Sequence, residues 1–174
     1  MKNRRYPGNV RGGNRRKARE LAVQALYQSD LSGDDIHQAV NQLCEDTVDS
    51  HVDLEYFRRV AIGVHARLPE LNGWIERAAQ NWSPERLSIV DRNILRLGIY
   101  ELLVEQAVPR KVVINESIEL SKKFGGDGSG RFVNGILDHA AMHIRGERDS
   151  DEIDHLVERD PKPDNPEKIG NLEE

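Results

Sequence analysis

The chain has 174 residues, 37% hydrophobic and 32% charged, the size and balance of one polar globular domain. No apolar run nears the roughly 18 residues of a membrane span, and no apolar stretch follows the basic N-terminus, so a membrane protein and a secretory signal are both excluded as readings. Cys44 is the single cysteine, which excludes an internal disulfide framework and points to the cytoplasm. The net charge of -5 conceals an asymmetry: residues 1–20 hold eight cations against Glu20, and residues 146–174 hold eleven acids against four cations. A basic end on a weakly acidic body suits a polyanion partner, but solvated tails carry such runs too, and charge does not choose between them.

In chain order, Pro7, Gly8, Gly12 and Gly13 among arginines predict a flexible basic arm over residues 1–13. Asn14 then caps a first helix to about Leu31, with Ala18, Ala22, Ala25 and Leu26 on one face. A second helix covers about Asp34 to Val48. A third runs from about Asp53 to Leu68 on Phe57, Val60, Ala61 and Val64. Pro69 suits the first turn of a fourth, ending near Asn81. Ser88 and Asp91 resemble a capping box, and the helix they open, to about Val104, carries Ile89, Val90, Ile94, Leu95, Leu97, Ile99, Leu102 and Leu103 around most of its circumference. Such a helix is normally central and buried. Pro109 begins the next helix and Gly125 ends it. The last starts near Ser129 and buries Val133, Ile136, Leu137, Ala140 and Ile144. No segment alternates as a strand does. The fold class predicted is all-α, with a folded zone over 14–145. Residues 146–174, with Pro161, Pro163 and Pro166 among acids, predict a disordered acidic tail.

Most candidate chemistry fails on inspection. The loop from Gly125 to Gly130 lacks the Gly-Lys-Ser/Thr ending of a phosphate loop and follows a helix instead of a strand. Its glycines suit a helix end and a tight turn. His139 and His143 have two-histidine metal spacing, but zinc wants three or four ligands and no glutamate completes an HExxH pattern. No metal, cofactor or catalytic constellation is predicted. Two clusters remain. Arg15-Arg16-Lys17-Ala18-Arg19 opens the first helix, and at about 100° per residue Arg16, Arg19 and Tyr27 fall within roughly 80° of one another. Arg131-Phe132 follows the glycine loop directly. Cations hold phosphates and aromatic rings stack on unpaired bases, so the pairing favours single-stranded RNA. Tyr27 and Phe132 as plain core residues is the competing reading.

Three stretches carry a resemblance. Residues 15–27 (RRKARELAVQALY), 91–102 (DRNILRLGIYEL) and 113–125 (VVINESIELSKKFG) with 131–138 (RFVNGILD) resemble the NusB transcription-antitermination family. The likeness spans roughly residues 14–145, in order and at the family's spacing. It implies an all-α fold of two small helical bundles packed around a central buried helix, about seven helices in all. It implies a non-enzymatic protein that binds the boxA element of ribosomal-RNA leader transcripts with NusE, a small-subunit ribosomal protein. The pair joins an antitermination complex on RNA polymerase, and the family occurs as monomers and homodimers. Carried over by motif, Arg15, Arg16, Lys17, Arg19, Tyr27, Gly128, Ser129, Gly130, Arg131 and Phe132 would face RNA. Asp91, Arg92 and Leu95 would face NusE, with Leu95 equally suited to the core.

The sequence departs from the family pattern in its loop. An acidic residue and then Asp usually precede the loop serine, and here Asp127-Gly128-Ser129 stands instead. That removes one negative charge and one potential cap, leaving Ser129 as the expected cap. The arm and the acidic tail both lie beyond the resemblance. Two other classes compete: the helical domain of an RNA cytosine methyltransferase, for which the chain offers no cofactor-binding motif, and a protein adaptor that scaffolds NusE without touching RNA.

Overall fold

The computed structural model describes residues 12–47, 51–79 and 87–157, with backbone alone at 12–14 and 145–157. Seven helices lie among the described residues: α1 (Gly12–Ser32), α2 (Ile36–Asp46), α3 (Leu54–Ala66), α4 (Leu68–Ala78), α5 (Ile89–Val104), α6 (Arg110–Phe124) and α7 (Ser129–Val157). Their starts follow local chemistry. Asp35 accepts the His37 N–H before α2, Asp53 accepts the Tyr56 N–H before α3, and Ser88 accepts the Asp91 N–H before α5. Of the predicted box at α5 the serine half forms, and the Asp91 carboxylate takes the Ser88 hydroxyl at 2.7 Å.

Helices α1, α2 and α3 pack together as one bundle, and α4, α5, α6 and α7 form a second. Helix α5 also packs on α1 and α3, so it is the element the two bundles share. This explains its apolar circumference: Ile94, Leu95, Leu97 and Ile99 are all essentially inaccessible. Close approach is written into two glycines. A Cβ on Gly98 would sit 2.9 Å from both Leu137 Cδ1 and Ser117 Oγ, and one on Gly63 would clash with the hydroxyl end of Tyr100. No described helix is long and apolar enough to cross a membrane.

Two boundaries differ from expectation. Helix α1 begins at Gly12, ahead of the predicted cap Asn14, so the end of the predicted arm is helical. Helix α7 continues to Val157, past the predicted end of order at 145. Residues 147–157 contain no proline or glycine, so nothing in the backbone stops the helix there even though few apolar groups support it. The remainder of the predicted arm and tail lies outside the described residues.

Two buried polar junctions tie the bundles together through α5. At one, Arg96 donates to Asp30 of α1 and Asn72 of α4, both at 2.9 Å, and Asn93 donates to the same Asp30 at 3.1 Å. Burial outweighs the pull of Asp30 and lowers the Arg96 pKa. At the other, Glu101 receives Arg19 of α1 and the hydroxyl of Tyr56 of α3.

Candidate nucleic-acid interface

The basic cluster of α1 is divided by the helix it sits on. Arg15, Arg16 and Lys17 precede the apolar face that begins at Ala18. Arg16 turns toward α6, where its Nε and Nη2 donate to Glu116 Oε2 and Oε1 at 2.9 and 2.7 Å. Glu116, through these hydrogen bonds and then its charge, raises the Arg16 pKa above its ordinary value. Lys17 and Lys123 both hold Glu20, at 3.2 and 2.8 Å. Burial pushes the Glu20 carboxyl up, but its hydrogen bonds to Lys123 and Lys17 and their charges win and hold it below its ordinary value. Lys122 holds Glu119 at 2.7 Å.

All of these but Lys17 line a cleft of about 270 Å³ between α1 and α6. Glu20 and Glu116 lie behind and their cations in front: the side chains of the two acids are 10% and 15% exposed and those of Arg16 and Lys123 53% and 52%, while Glu119 stands outward beside Lys122 at 47%. The surface is therefore cationic toward solvent although its charges are largely paired. Tyr27 follows on the same side of α1, since eleven residues return to within about 20° of Arg16, and it is 38% exposed.

Arg15 points elsewhere, 3.7 Å from Asp53 and with its guanidinium 4.8 Å from the Tyr56 ring centroid. Arg19 corrects the sequence reading. It is 3% exposed, and Nε and Nη2 both donate to Glu101, at 2.9 and 2.8 Å. Burial alone would lower its pKa; the hydrogen bonds and charge of Glu101 outweigh that and raise it. The helical wheel put Arg19 beside Arg16, but α3 and α5 cover that flank of α1.

The second cluster stands at the start of α7. Gly128 has φ +87°, and its carbonyl accepts the N–H groups of Arg131 and Phe132 at 3.1 and 3.2 Å. It is thus the residue that caps α7, without a side chain. Ser129, the expected cap, is buried, and its Oγ donates to Asp91 Oδ2 at 3.1 Å. Its hydroxyl is engaged inward instead of facing RNA. Gly130 is half-buried against Ile118. Arg131 is exposed, and Phe132 is half-buried with part of its ring against the core. With Leu87, Ser88, Asp91 and Gly128, these two line a cleft of about 410 Å³.

The predicted partner-facing residues are likewise mostly internal. Leu95 is fully buried, because the shared helix α5 leaves no free side at that register. Asp91 is 9% exposed and bound to Ser88 and Ser129, so it joins the start of α5 to the start of α7. Arg92 is half-buried, 3.8 Å from Asp30.

Lys122, Lys123 and Glu116 were missed. The available signal was the lysine pair in the last turn of α6 together with a glutamate two turns earlier, but only the packing reveals that α1 lies opposite. The His139 and His143 rings lie 4.3 Å apart, with His143 Nδ1 2.9 Å from the His139 carbonyl oxygen. Among the described residues no group of three or more metal-ligating side chains converges.

Comparison with known proteins agrees with this architecture. A model of the NusB family matches residues 16–142. The transcription antitermination protein NusB of Dehalococcoides mccartyi is 42% identical over 123 residues, covering 71% of this chain and 86% of that one. NusB of T. maritima superimposes with a TM-score of 0.65 at 40% identity, covering 74% of this chain and 90% of that one. A chain from a crystal structure of the antitermination factors NusB and NusE in complex with dsRNA superimposes with a TM-score of 0.69 at 28% identity, covering 76% of this chain and 99% of that one. The chain belongs to the NusB family of transcription antitermination proteins, which are not enzymes.

Proposed function

We propose that this protein binds the boxA RNA of ribosomal-RNA leader transcripts together with NusE, in the cytoplasm, and helps elongating RNA polymerase read through terminators. The observation that carries the reading is the outward row of cations on α1 and α6, with the exposed ring of Tyr27 beside it. Arg16, Lys17 and Lys123 stand in front of Glu116 and Glu20, Lys122 stands beside the exposed Glu119, and Tyr27 lies on the same side of α1. Arg131 and Phe132 form a second cluster at the start of α7, which packs on α6. In this reading the cations position the RNA backbone, which confers affinity and register more than sequence choice. Tyr27 and the open part of Phe132 stack on unpaired bases, each worth about 1–3 kcal/mol. NusE extends the surface, and linkage requires RNA to tighten NusE binding as much as NusE tightens RNA binding. Membership in a family whose relatives include a chain solved with NusE and RNA supports the choice of partners.

Fluorescence anisotropy tests this with a boxA single strand, a scrambled strand and a boxA duplex, with and without NusE, at two salt concentrations. Preferential binding of the boxA strand, stronger with NusE and weaker in salt, is expected. Arg16→Ala and Tyr27→Ala should each weaken it. Equal affinity for all three RNAs in every condition would overturn RNA recognition and leave the protein as an adaptor for NusE.

A further inference from the structure

Arg16 is the outer end of a line of alternating charge that starts in the core. Glu101, buried in α5, holds Arg19 at 2.8 Å; Arg19 Nη1 lies 4.0 Å from Glu116 Oε2; and Glu116 holds Arg16 at 2.7 Å. Hydrogen bonds hold Arg19 to Glu101 and Arg16 to Glu116, and the longer charge contact between Arg19 and Glu116 links the two pairs, so the guanidinium at the surface is connected to the junction of the two bundles. Exposed arginines usually sample many rotamers, and holding one still costs entropy at the moment of binding. Here that ordering is already present in the free protein.

The way Glu116 holds Arg16 also decides what remains to be offered. The carboxylate takes Nε–H and one N–H of Nη2, the side-on edge of the fork. A guanidinium has five donors in one plane. The remaining edge, one N–H on Nη1 and one on Nη2, therefore points away from Glu116. The Arg16 side chain is 53% exposed and Glu116 15%, which leaves room for a ligand on the side away from the carboxylate. Two parallel donors in a fixed plane match two neighbouring acceptors. The carboxylate meanwhile cancels most of the charge that would attract any phosphate.

We infer that Glu116 is a positioning residue that converts Arg16 from a general phosphate contact into a reader of the guanine O6/N7 edge in bound RNA. Guanine presents those two acceptors side by side, the geometry that a bidentate arginine recognises. In an unpaired strand that edge is open to a protein. The inference rests on the RNA-binding reading above and adds to it a base and the residue that selects it.

The test uses the full-length protein and short single strands that differ at one central position, G, A, C or U, or 7-deazaguanine, which lacks N7. The wild type should favour G over A, C and U by about fivefold, the lower end for a bidentate pair. 7-Deazaguanine should fall to the level of the other bases. Glu116→Gln should lose the preference: the A, C and U strands should bind about threefold more tightly, as an exposed pair releases its cation, and the G strand should come to the same level as they do. Its log affinity should fall with log salt more steeply by about 0.7, the value for one added phosphate contact on a single strand. Arg16→Lys keeps the charge without the fork, and should keep the wild-type salt slope and lose the preference. Thermal melting of both variants alongside the wild type checks that they fold. Equal binding of all four bases by the wild type, or a guanine preference that survives Glu116→Gln, would overturn the inference while leaving boxA recognition intact. Absence of binding to any RNA would overturn both.

Discussion

Arg19 and Glu101 form a bidentate ion pair inside the protein, 2.8 Å at the shorter contact, with both side chains at most 3% exposed. It joins α1 of one bundle to the helix shared by both, and Tyr56 of α3 completes it by donating its hydroxyl to the same carboxylate. The basic cluster of α1 thus serves two purposes. Its outer members face solvent, while Arg19 holds the bundles together.

The first prediction follows from that division. Removing one partner leaves a buried charge unpaired, so Arg19→Ala or Glu101→Ala should cost about 3–5 kcal/mol in urea unfolding. The double variant Arg19→Met with Glu101→Leu should be less destabilised than either, since an apolar pair of similar volume leaves no stranded charge. Arg16→Ala should leave the urea midpoint nearly unchanged, as expected of an exposed pair. A stable Arg19→Ala protein with impaired RNA binding would return Arg19 to the RNA surface.

The second concerns alkaline pH. Burial, and then the charge of Glu101, raise the Tyr56 pKa far above its ordinary value of 10.0. Ionisation is thus suppressed in the folded state but not in the unfolded one. The resulting stability is whole below pH 10.0 and lost as pH rises beyond it. Unfolding free energy should fall by about 1.4 kcal/mol per pH unit for this group once the unfolded-state tyrosine ionises. Urea titrations between pH 8 and 11.5 should show the decline, smaller in Tyr56→Phe. Tyr100, raised chiefly by burial, contributes in the same direction and should account for part of the remainder. An identical decline in Tyr56→Phe would refute the assignment.

The third concerns the loop. Gly128 combines φ +87° with open space around a built Cβ, so a side chain there meets no neighbour but strains the backbone. Asp and Asn tolerate that backbone region about equally, which lets charge be separated from strain. Gly128→Asp should bind boxA RNA more weakly than Gly128→Asn, with the gap closing at high salt, because it places a negative charge beside Arg131. Equal affinities for the two variants would remove the electrostatic role of the loop.

Elements were largely legible in the sequence. The caps at Asp53 and Ser88, the breakers Pro109 and Gly125, and the apolar circumference of α5 are local features, and local backbone chemistry places helix ends with little help from tertiary structure. The family likeness was legible for the same reason, since motif and spacing are properties of the chain. Which side of each helix reaches solvent was decided only by packing. The angle between Arg16 and Arg19 on α1 was available from the start, but α3 and α5 cover one and α6 only partners the other. The same information was needed to turn Asp91 and Ser129 inward and to choose between surface and core for Leu95. A helical wheel gives directions around one axis; burial depends on which other axes lie alongside, and for Arg19 and Glu101 that means residues 82 positions apart.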